Sequence, residues 1–467
     1  NAGFNLLGTS LAAQEYWDNH RALDYLLTRK DIDSERIGVY GSSGGGTQTA
    51  YYIGLDPRVK VAAICSFFST RERTMELQGP SDGCQHIPYE GREQLEVPDF
   101  ALMMAPRPLL ILSGKYDFVD LWGAQQGFAE LQQCYKVLGV PEKVDMLTVE
   151  TGHGLGTEKR QKLVSWFKRW LKDDQSPVKK SAQDRFRLSD MLCTTKGQVN
   201  VSMPGALSIM QENVNQLDEW ASKREAFLSK GKKTVQTKML DLLGLKGLPD
   251  HKIRIEATGH DSMREYEQYK FQLIREGEMP VPCILIMPSR ANADSPVELR
   301  LQEEGKGTYL SEYANFAAAL TEGKILLLAD LRGLGETTDP AFYTDAKYWN
   351  REYRNAMISM HIGRPIMGQR VVDILTLLDF CSEHEFLKGH SVKVFANGIY
   401  GPAAIHAAYL DERINSVEIT HSVKTWKEYI ERPMQWDMYS NVLYGALKYY
   451  DLPDLIRLSN CPICFAD

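Results

Sequence analysis

The feature that most constrains the fold is an internal repeat. Residues 8–58 align without a gap with residues 363–413, at a constant shift of 355 positions. The shared positions fall in helical, strand-like and turn segments alike, and the last of them is the turn "LDPR" in one copy and "LDER" in the other. The identical pairs include Gly8 and Gly363, Gln14 and Gln369, Asp18 and Asp373, Asp24 and Asp379, Val39 and Val394, Gly46 and Gly401, and Arg58 and Arg413. Self-similarity of this length predicts two copies of one fold.

Both copies alternate apolar strand-like segments with helical ones. Examples are "RIGVY" and "VKVAAICSFF" upstream, and "KILLLAD" and "VKVFA" downstream. This alternation is typical of βαβ units, in which helices cover a parallel sheet. A chain of 467 residues is also longer than a single hydrophobic core usually supports. We therefore predict an α/β protein with two domains of one fold and mostly parallel sheets.

The repeat also sets the expected domain bounds. We expect a first domain at 1–173, a linker and helical segment at 174–250 that includes "DDQSPVKKSAQ", and a second domain at 251–467. Seven residues precede the first copy, so it is expected to lack its opening strands. The second copy ends at "CPICFAD", which matches the start of the strand "RPLLILSG", so it is expected to lack its closing elements. The chain then resembles an internal fragment of a longer tandem protein; alternatively, the two incomplete halves complement one another.

Composition excludes several classes of partner. The 61 acidic and 54 basic residues are scattered along the chain and form no basic stripe for nucleic acid. No apolar run approaches the ~18 residues of a membrane span. The first residues do not resemble a signal peptide, but an initiator Met is also absent, so the residues alone do not set the compartment.

The eight cysteines are too few for a disulfide scaffold. Cys65 and Cys283 lie in apolar strand-like segments and are predicted to be buried. Cys461 and Cys464 form a lone C-x-x-C without a second Cys or His pair at zinc-site spacing. We interpret these two cysteines as buried strand residues as well, and we expect no metal site.

The motif "GSSGGG" contains Gly41-x-Ser43-x-Gly45 between a short β-branched strand and a helix. In that context a sharp turn lifts the serine out of the sheet, and small residues are needed because side chains would collide with backbone. The helix start offers free N–H groups to a developing oxyanion, and Gly44 N–H is the first such donor. We predict Ser43 as a nucleophile; the alternative is a flexible glycine loop.

A serine nucleophile needs a base and an acid that orients the base. Asp117 follows the strand "PLLILSG", and His153 lies in "TGHGLG" just after the strand "VDMLTVE", which matches the order Ser, Asp, His of α/β hydrolases. Asp120 is the competing acid, and Asp117 is favoured because it is nearer the strand end. His153 could instead be a surface turn residue. His86 and His20 are interpreted as structural or substrate-facing.

In the second copy, the position of the serine is occupied by Gly398 within "FANGIYG". Glycine offers no nucleophile, and no serine or cysteine lies in this segment. We therefore predict that the second copy is non-catalytic.

Five segments of the first copy resemble a known group of proteins. They are "NLLGTSLAAQEYWDNHRALDYLL", "DSERIGVYGSSGGGTQTAYY", "QHIP", "APRPLLILSGKYDF" and "GHG". Together they cover most of residues 4–171 and resemble bacterial acetyl xylan esterase-like carbohydrate esterases, α/β hydrolases of the dienelactone hydrolase and prolyl oligopeptidase clan. The resemblance implies that Ser43 is the nucleophile, Asp117 the acid and His153 the base. In such proteins a second oxyanion donor lies further upstream.

The resemblance also implies a substrate and a location. Acetyl or methyl esters on plant polysaccharides such as xylan or pectin would be hydrolysed in the periplasm or outside the cell, without a metal or an organic cofactor. One alternative is a serine peptidase of prolyl oligopeptidase type, although no propeller repeat is present. The other alternative is a non-catalytic carbohydrate-binding or scaffold protein built from hydrolase domains.

Overall fold

The computed structural model describes residues 1–178, 186–340 and 350–466. The chain divides into two compact units. The first unit contains Asn1 and Ser10–Ala206, and the second contains Ala2–Thr9 and Leu207–Asp467. Part of the predicted linker "DDQSPVKKSAQ" lies outside the described residues.

The chain begins with helix α1 (Ala2–Leu6), which belongs to the second unit. The first unit then contains α2 (Leu11–Leu27), β1 (Gly38–Ser42), α3 (Gly44–Ile53), β2 (Val61–Cys65), α4 (Arg71–Gln78), α5 (Val97–Leu102), β3 (Leu109–Gly114), α6 (Leu121–Val137), β4 (Val144–Val149), α7 (Thr157–Lys172) and α8 (Val199–Ser202). Its four strands form one parallel sheet in the order β1-β2-β3-β4. The βαβ alternation predicted from sequence is confirmed here.

The central strands β2 and β3 are buried along their whole length. Their continuous apolar runs follow from burial on both faces, because successive side chains point to opposite sides of a sheet. In β2, Ala62 and Ile64 pack into a cluster with Leu131 and Tyr135 of α6. The alternate residues of the same strand pack against α7, including Trp166. The sheet therefore lies between two helical layers.

Helix α7 shows the amphipathic spacing that the sequence predicts. Its buried residues are Lys159, Leu163 and Trp166, which lie four and three positions apart and so share one face. Two of them are apolar core residues, whereas the third carries an amine. A buried lysine on a core-facing stripe calls for local polar partners.

The described part of the second unit contains eighteen helices and strands besides short turns. They are α1, α9 (Ile209–Leu228), α10 (Lys232–Leu242), β5 (Arg254–Ser262), β6 (Tyr266–Ile274), β7 (Val281–Pro288), β8 (Val297–Leu301), α11 (Lys306–Ser311), α12 (Ala314–Thr321), β9 (Ile325–Ala329), α13 (Tyr353–His361), α14 (Ile366–Glu383), β10 (Val392–Asn397), α15 (Gly401–Leu410), β11 (Ile414–Thr420), α16 (Lys427–Glu431), α17 (Leu452–Leu458) and β12 (Ile463–Phe465). Eight strands form one sheet in the order β12-β11-β10-β8-β9-β7-β6-β5.

This sheet is mixed. The pairs from β12 to β9 are parallel, whereas β9 with β7, β7 with β6 and β6 with β5 are antiparallel. Antiparallel neighbours can be joined by short turns, as between β5 and β6, without a crossover helix. The expectation of mostly parallel pairing therefore holds for only part of the second sheet. Strand β5 was not predicted, because most of its residues are partly or fully exposed and many are polar.

The repeat seen in the sequence is also present in the backbone conformation. Helices α2 and α14 begin at Leu11 and Ile366, which are separated by the repeat shift. Gly8 and Gly363 both have φ of 72°, and the residues that directly follow β2 and β11, Ser66 and His421, have φ of 48° and 52°. Positive φ is uncommon at non-glycine positions. Its recurrence at matching positions indicates that both copies make the same turns.

An ion-pair network is also repeated. In the first copy, Arg58 bonds Asp24 at 2.6 Å and Asp56 at 2.5 Å. In the second copy, Arg413 bonds the matching residues, Asp379 at 2.7 Å and Asp411 at 2.6 Å. The conserved Asp and Arg pairs of the two copies therefore have a structural role and not a catalytic one.

Two observations concern the predictions from composition. None of the helices among the described residues has the length and apolarity needed to cross a lipid bilayer. Cys65 and Cys283 are buried as predicted, but Cys461 is half-buried and Cys464 is exposed on β12. The prediction that the C-x-x-C cysteines are buried was wrong, because β12 lies at the edge of its sheet.

Candidate active site

Ser43 sits at the junction between β1 and α3, with φ of 58° and ψ of −122°. Such a backbone conformation costs a non-glycine residue on the order of 1–3 kcal/mol and persists only where its surroundings enforce it. Here Ser43 N–H donates to Cys65 O at 3.0 Å, and Ser43 O accepts from Thr47 N–H at 3.0 Å. The hydroxyl makes no capping hydrogen bond to the helix. The turn therefore holds the backbone of Ser43 and leaves its side chain available.

The glycines around Ser43 have different roles. A Cβ at Gly41 would overlap the carbonyl group of Gly45, and one at Gly46 would lie 2.7 Å from Cys65 O. At Gly44 and Gly45, by contrast, a Cβ would meet no atom within 4 Å. The requirement for a residue without a side chain is thus confirmed at Gly41. The second position with this requirement is Gly46 and not Gly45.

Asp117 and His153 are brought together by the loops that follow β3 and β4. The Nδ1 atom of His153 lies 2.8 Å from Asp117 Oδ1. Because a carboxylate can only accept, the imidazole donates from Nδ1, and in the neutral tautomer its Nε2 is left as a proton acceptor. The ring of Phe118 stacks on the imidazole, with centroids 4.3 Å apart and an angle of 20° between the planes. The imidazole is therefore oriented by one hydrogen bond and one stacking contact.

The Asp117 side chain is 1% exposed. Burial by itself raises the pKa of this carboxyl, but the hydrogen bonds from His153 and from Val119 N–H lower it, and the net pKa is below its ordinary value. Ser66 adds to the lowering, although its contact with Asp117 falls outside standard hydrogen-bond geometry. The acid is therefore held as a carboxylate, which is the form that can stabilise an imidazolium.

The competing acid, Asp120, has a different role. Its side chain caps α6 by accepting from Gly123 N–H at 2.6 Å, and it pairs with Arg73 at 3.4 Å. Of the two acids left open by the sequence, the geometry brings only Asp117 to His153.

The strand register places the candidate residues on one edge of the sheet. Ser42 pairs with Cys65, Cys65 with Leu112, and Gly114 with Val149, so β1, β2, β3 and β4 all end at that edge. Adjacent strands lie about 4.8 Å apart. Among the described residues, no hydrogen bond joins the Ser43 hydroxyl to His153. Such bonds are often long before substrate binds.

Gly44 is the first residue of α3 and is exposed. The first N–H groups of a helix have no acceptor within the helix. A Cβ at Gly44 would meet no atom within 4 Å, so the turn is open on that side. Gly44 N–H stays the predicted oxyanion donor.

Two residues at the site were missed by sequence reasoning. Ser66 follows β2 directly, and its hydroxyl accepts from Gly154 N–H at 3.1 Å, next to His153. Lys159 reaches the same hydroxyl at 3.3 Å from helix α7. The only sequence signal was their position, since Ser66 ends a buried strand and Lys159 shares the apolar stripe of α7.

The other histidines considered from sequence are not joined to this site by a described contact. His20 bonds Asp56 at 3.1 Å within the ion-pair network, which is a structural role. His86 is buried, at 4% exposure.

In the matching turn of the second unit, the side chain of Glu303 occupies the space beside the glycine that replaces the serine. Gly398, at the serine position, has φ of 61°, and a Cβ there would overlap the Glu303 carboxylate. Glu303 Oε2 accepts from Ile399 N–H at 3.1 Å. A side-chain carboxylate thus takes the N–H that, in the first unit, corresponds to Gly44 N–H.

A parallel sheet with a strained serine turn after one strand, followed by an acid and a histidine after later strands, defines an α/β hydrolase. Residues 7–174 match the profile of the prolyl oligopeptidase family. The predicted resemblance to α/β hydrolases of this clan is thereby confirmed for that segment.

Comparison with individual proteins gives more distant similarities. YtaP of Bacillus subtilis strain 168, assigned as a hydrolase, is 26% identical over 168 residues, which cover 36% of this chain and 56% of YtaP. The chain therefore spans little more than half the length of that relative. A structure from Bacteroides fragilis assigned as an acetyl xylan esterase is 14% identical, with a TM-score of 0.45, over 56% of this chain and 75% of that one. Acetyl xylan esterase 1 from Thermoanaerobacterium sp. is 12% identical, with a TM-score of 0.35, over 50% of this chain and 77% of its own.

Proposed function

We propose that the first unit is a serine esterase that acts through a covalent acyl-enzyme. The observation that supports this most directly is the 2.8 Å hydrogen bond between His153 and the buried Asp117, at the sheet edge where Ser43 occupies its strained turn. Each residue is available for one role, with Ser43 as nucleophile, His153 as general base and Asp117 as the group that orients it.

The proposed reaction has two balanced halves. Ser43 Oγ attacks the ester carbonyl while its proton passes to His153 Nε2, and Gly44 N–H donates to the resulting oxyanion. The alcohol leaves with the proton from His153, and the acyl group stays on Ser43. Water then attacks this ester with His153 again acting as base, which releases the acid and restores the serine hydroxyl.

We propose acetyl or methyl esters on plant polysaccharides as the substrate class, hydrolysed outside the cytoplasm. The support is the resemblance carried by the motifs of residues 4–171 and a set of exposed aromatic rings beside the site. Tyr116, Phe118 and Trp122 follow β3 and are all more than half exposed. One side of each ring is covered, by His153 on Phe118, by Arg73 on Trp122 and by Lys115 on Tyr116. The exposed remainder of such rings is suited to packing against sugars.

We further propose that the first domain extends over 1–173, the linker and helical segment over 174–250, and a non-catalytic second domain over 251–467. The support for the last assignment is Gly398 and the carboxylate that fills its turn.

A second candidate function is a peptidase. The match of residues 7–174 to the prolyl oligopeptidase family favours it, since the same triad serves both reactions. The two functions differ in leaving group, an alcohol in one case and an amine in the other.

The test compares the chain with its Ser43→Ala variant on three substrates. These are 4-nitrophenyl acetate, acetylated xylan followed by acetate release, and a proline-containing peptide nitroanilide. Serine-dependent turnover of the first two, without the third, is the expected result. Ester hydrolysis that survives in Ser43→Ala would reject the nucleophile, and serine-dependent cleavage of the anilide alone would favour the peptidase. Circular dichroism of the variant serves as the control for folding.

A further inference from the structure

Lys159 is the least expected side chain near the candidate site. It is 0% exposed on α7. A buried ammonium is costly unless it is paired or hydrogen-bonded. Among the described residues no carboxylate forms an ion pair with it, and its Nζ donates instead to Gly154 O at 3.0 Å and to Ser66 Oγ at 3.3 Å. Both acceptors lie beside the residues proposed for catalysis.

The two hydrogen bonds that Ser66 Oγ accepts limit where the hydroxyl can donate its own hydrogen. A serine hydroxyl has two acceptor positions and one hydrogen to donate. Lys159 and Gly154 N–H can only donate, so they take both acceptor positions. The single hydrogen of Ser66 is then left for another acceptor. Asp117 Oδ2 is buried and accepts no hydrogen bond of standard geometry, and Ser66 favours the charged form of that carboxyl. The thiol of Cys65, with Sγ 3.7 Å from Ser66 Oγ, is the other neighbour of this hydroxyl.

The backbone at Ser66 is held in place. Its φ of 48° is unusual for a residue other than glycine. The conformation is held by a hydrogen bond from Ser66 N–H to Leu112 O at 3.0 Å. The position of the Ser66 hydroxyl is therefore fixed by the backbone of the turn that follows β2.

From these contacts we infer that Lys159 and Ser66 are positioning residues that hold the Asp117–His153 pair in its working geometry. Lys159 donates into the Ser66 hydroxyl and the Gly154 carbonyl, Ser66 donates to Asp117, and Asp117 accepts from His153. A donor that receives a hydrogen bond from a charged group is itself strengthened. The catalytic part of this inference rests on the proposed esterase function, but the positioning of the Asp117–His153 pair does not.

The ionisable groups around this chain of hydrogen bonds are Asp117 and the thiol of Cys65, whose Sγ lies 3.7 Å from Gly154 O. Lys115 and Glu150, also on these loops, pair with each other at 2.6 Å and are exposed.

The test uses Lys159→Met, with Lys162→Met as a matched control. Lys162 lies on the same helix and pairs with Asp145 at 2.6 Å, and both side chains are partly exposed. The Nδ1–H proton of His153 is observed by NMR at one fixed pH, and kcat and KM are measured. In Lys159→Met we expect this signal to shift or broaden because the bond to Asp117 loses its fixed geometry, and kcat to fall at least about tenfold with little change in KM. Lys162→Met should match the unmodified chain.

Two further variants keep the test decisive if Lys159→Met is poorly folded. Lys159→Arg retains the charge and should restore the His153 signal and kcat. Ser66→Gly removes the hydroxyl while suiting the positive φ, and should lower kcat without loss of thermal stability. Equal His153 Nδ1–H signals and equal kcat in Lys159→Met and Lys162→Met would overturn the inference. Absence of serine-dependent turnover in the unmodified chain would count against the proposed function, while the NMR signal would still decide whether Lys159 positions the Asp117–His153 pair.

Discussion

The backbone around Ser43 packs closely at Gly41 and Gly46, but not at Gly44 and Gly45 between them. At Gly41 a side chain would strike the carbonyl group of Gly45, whereas Gly45 itself faces open space. The carbonyl of Gly45 cannot move freely, because it accepts from Thr49 Oγ1 at 2.8 Å. Residue choice at Gly41 is therefore fixed by geometry.

Gly41→Ala should consequently distort the turn, whereas Gly45→Ala should be tolerated. Overpacking of this kind costs typically about 1–3 kcal/mol, and a small misplacement of reacting groups can cost about 10²-fold in rate. Thermal unfolding and ester hydrolysis of the two variants would measure both effects. Equal losses in the two variants would contradict the assigned steric role.

The two acids of the loop after β3 allow an equally direct comparison. Asp117→Asn should leave the fold intact but lower kcat by about 10³–10⁴-fold, because an amide no longer fixes the imidazole tautomer. Asp120→Asn should be nearly neutral, because asparagine also caps a helix well. The measurement is kcat for both variants at pH 8. A large loss in Asp120→Asn with none in Asp117→Asn would reverse the assignment.

At the scale of elements, α15 is the most deeply buried helix of the repeat, with every residue from Gly401 to Leu410 inside the second unit. It contains His406, whose Nδ1 lies 2.6 Å from Pro402 O and whose Nε2 lies 3.2 Å from Tyr450 Oη. Burial lowers the pKa of His406 to about 4, and the hydrogen bond to Pro402 opposes this shift only in part. The helix is therefore built around a neutral imidazole.

This arrangement predicts a pH-dependent stability. Between pH 6.5 and about 4 the unfolded chain binds a proton at His406 that the folded chain does not, so the stability falls as the pH falls through this window. From pH 7.5 to 5.0 the loss should be about 2 kcal/mol. Urea titrations at the two pH values would measure it.

The variant His406→Gln, which cannot titrate, should be less stable at pH 7.5 but should change less with pH. His421→Gln, which replaces an exposed histidine, serves as the matched control and should retain the full pH dependence. An unchanged pH dependence in His406→Gln would show that other groups cause it.

At the scale of the whole molecule, the repeat raises the question of how many reactive serines the chain carries. In the first unit the turn presents Ser43, and in the second unit the same turn presents Gly398 under the Glu303 carboxylate. The first copy has a serine hydroxyl at this position, whereas the second copy has a glycine with the Glu303 carboxylate beside it.

We therefore expect one reactive serine for each chain. A fluorophosphonate, which forms a phosphorus–oxygen bond to an activated serine and releases fluoride, should add one group by intact mass spectrometry. Peptide mapping should place it on Ser43, and Ser43→Ala should remain unlabelled. A second label within 392–420 would contradict the prediction that the second copy is non-catalytic.

The elements that could be predicted were those with a strong local pattern. The strands β2, β3, β7 and β9 are continuous apolar runs, and α2 and α7 have clear helical spacing. Strand β5 was missed because an exposed strand lacks that pattern. The exposed position of Cys464 was missed because the local sequence does not show that β12 is the edge strand of its sheet.

For this protein, the sequence alone is enough to predict the repeat, the α/β class, the turn at Ser43 and the chain order of Ser43, Asp117 and His153. These follow from local spacing and from chain order, which need no knowledge of distant contacts. The tertiary structure was needed to show that His153 bonds Asp117 and not Asp120, that Lys159 contacts Ser66 nearby, and that the Glu303 carboxylate lies against Gly398. Each of these depends on which side chains meet across strands far apart in the chain, and such contacts are set by packing of the whole unit.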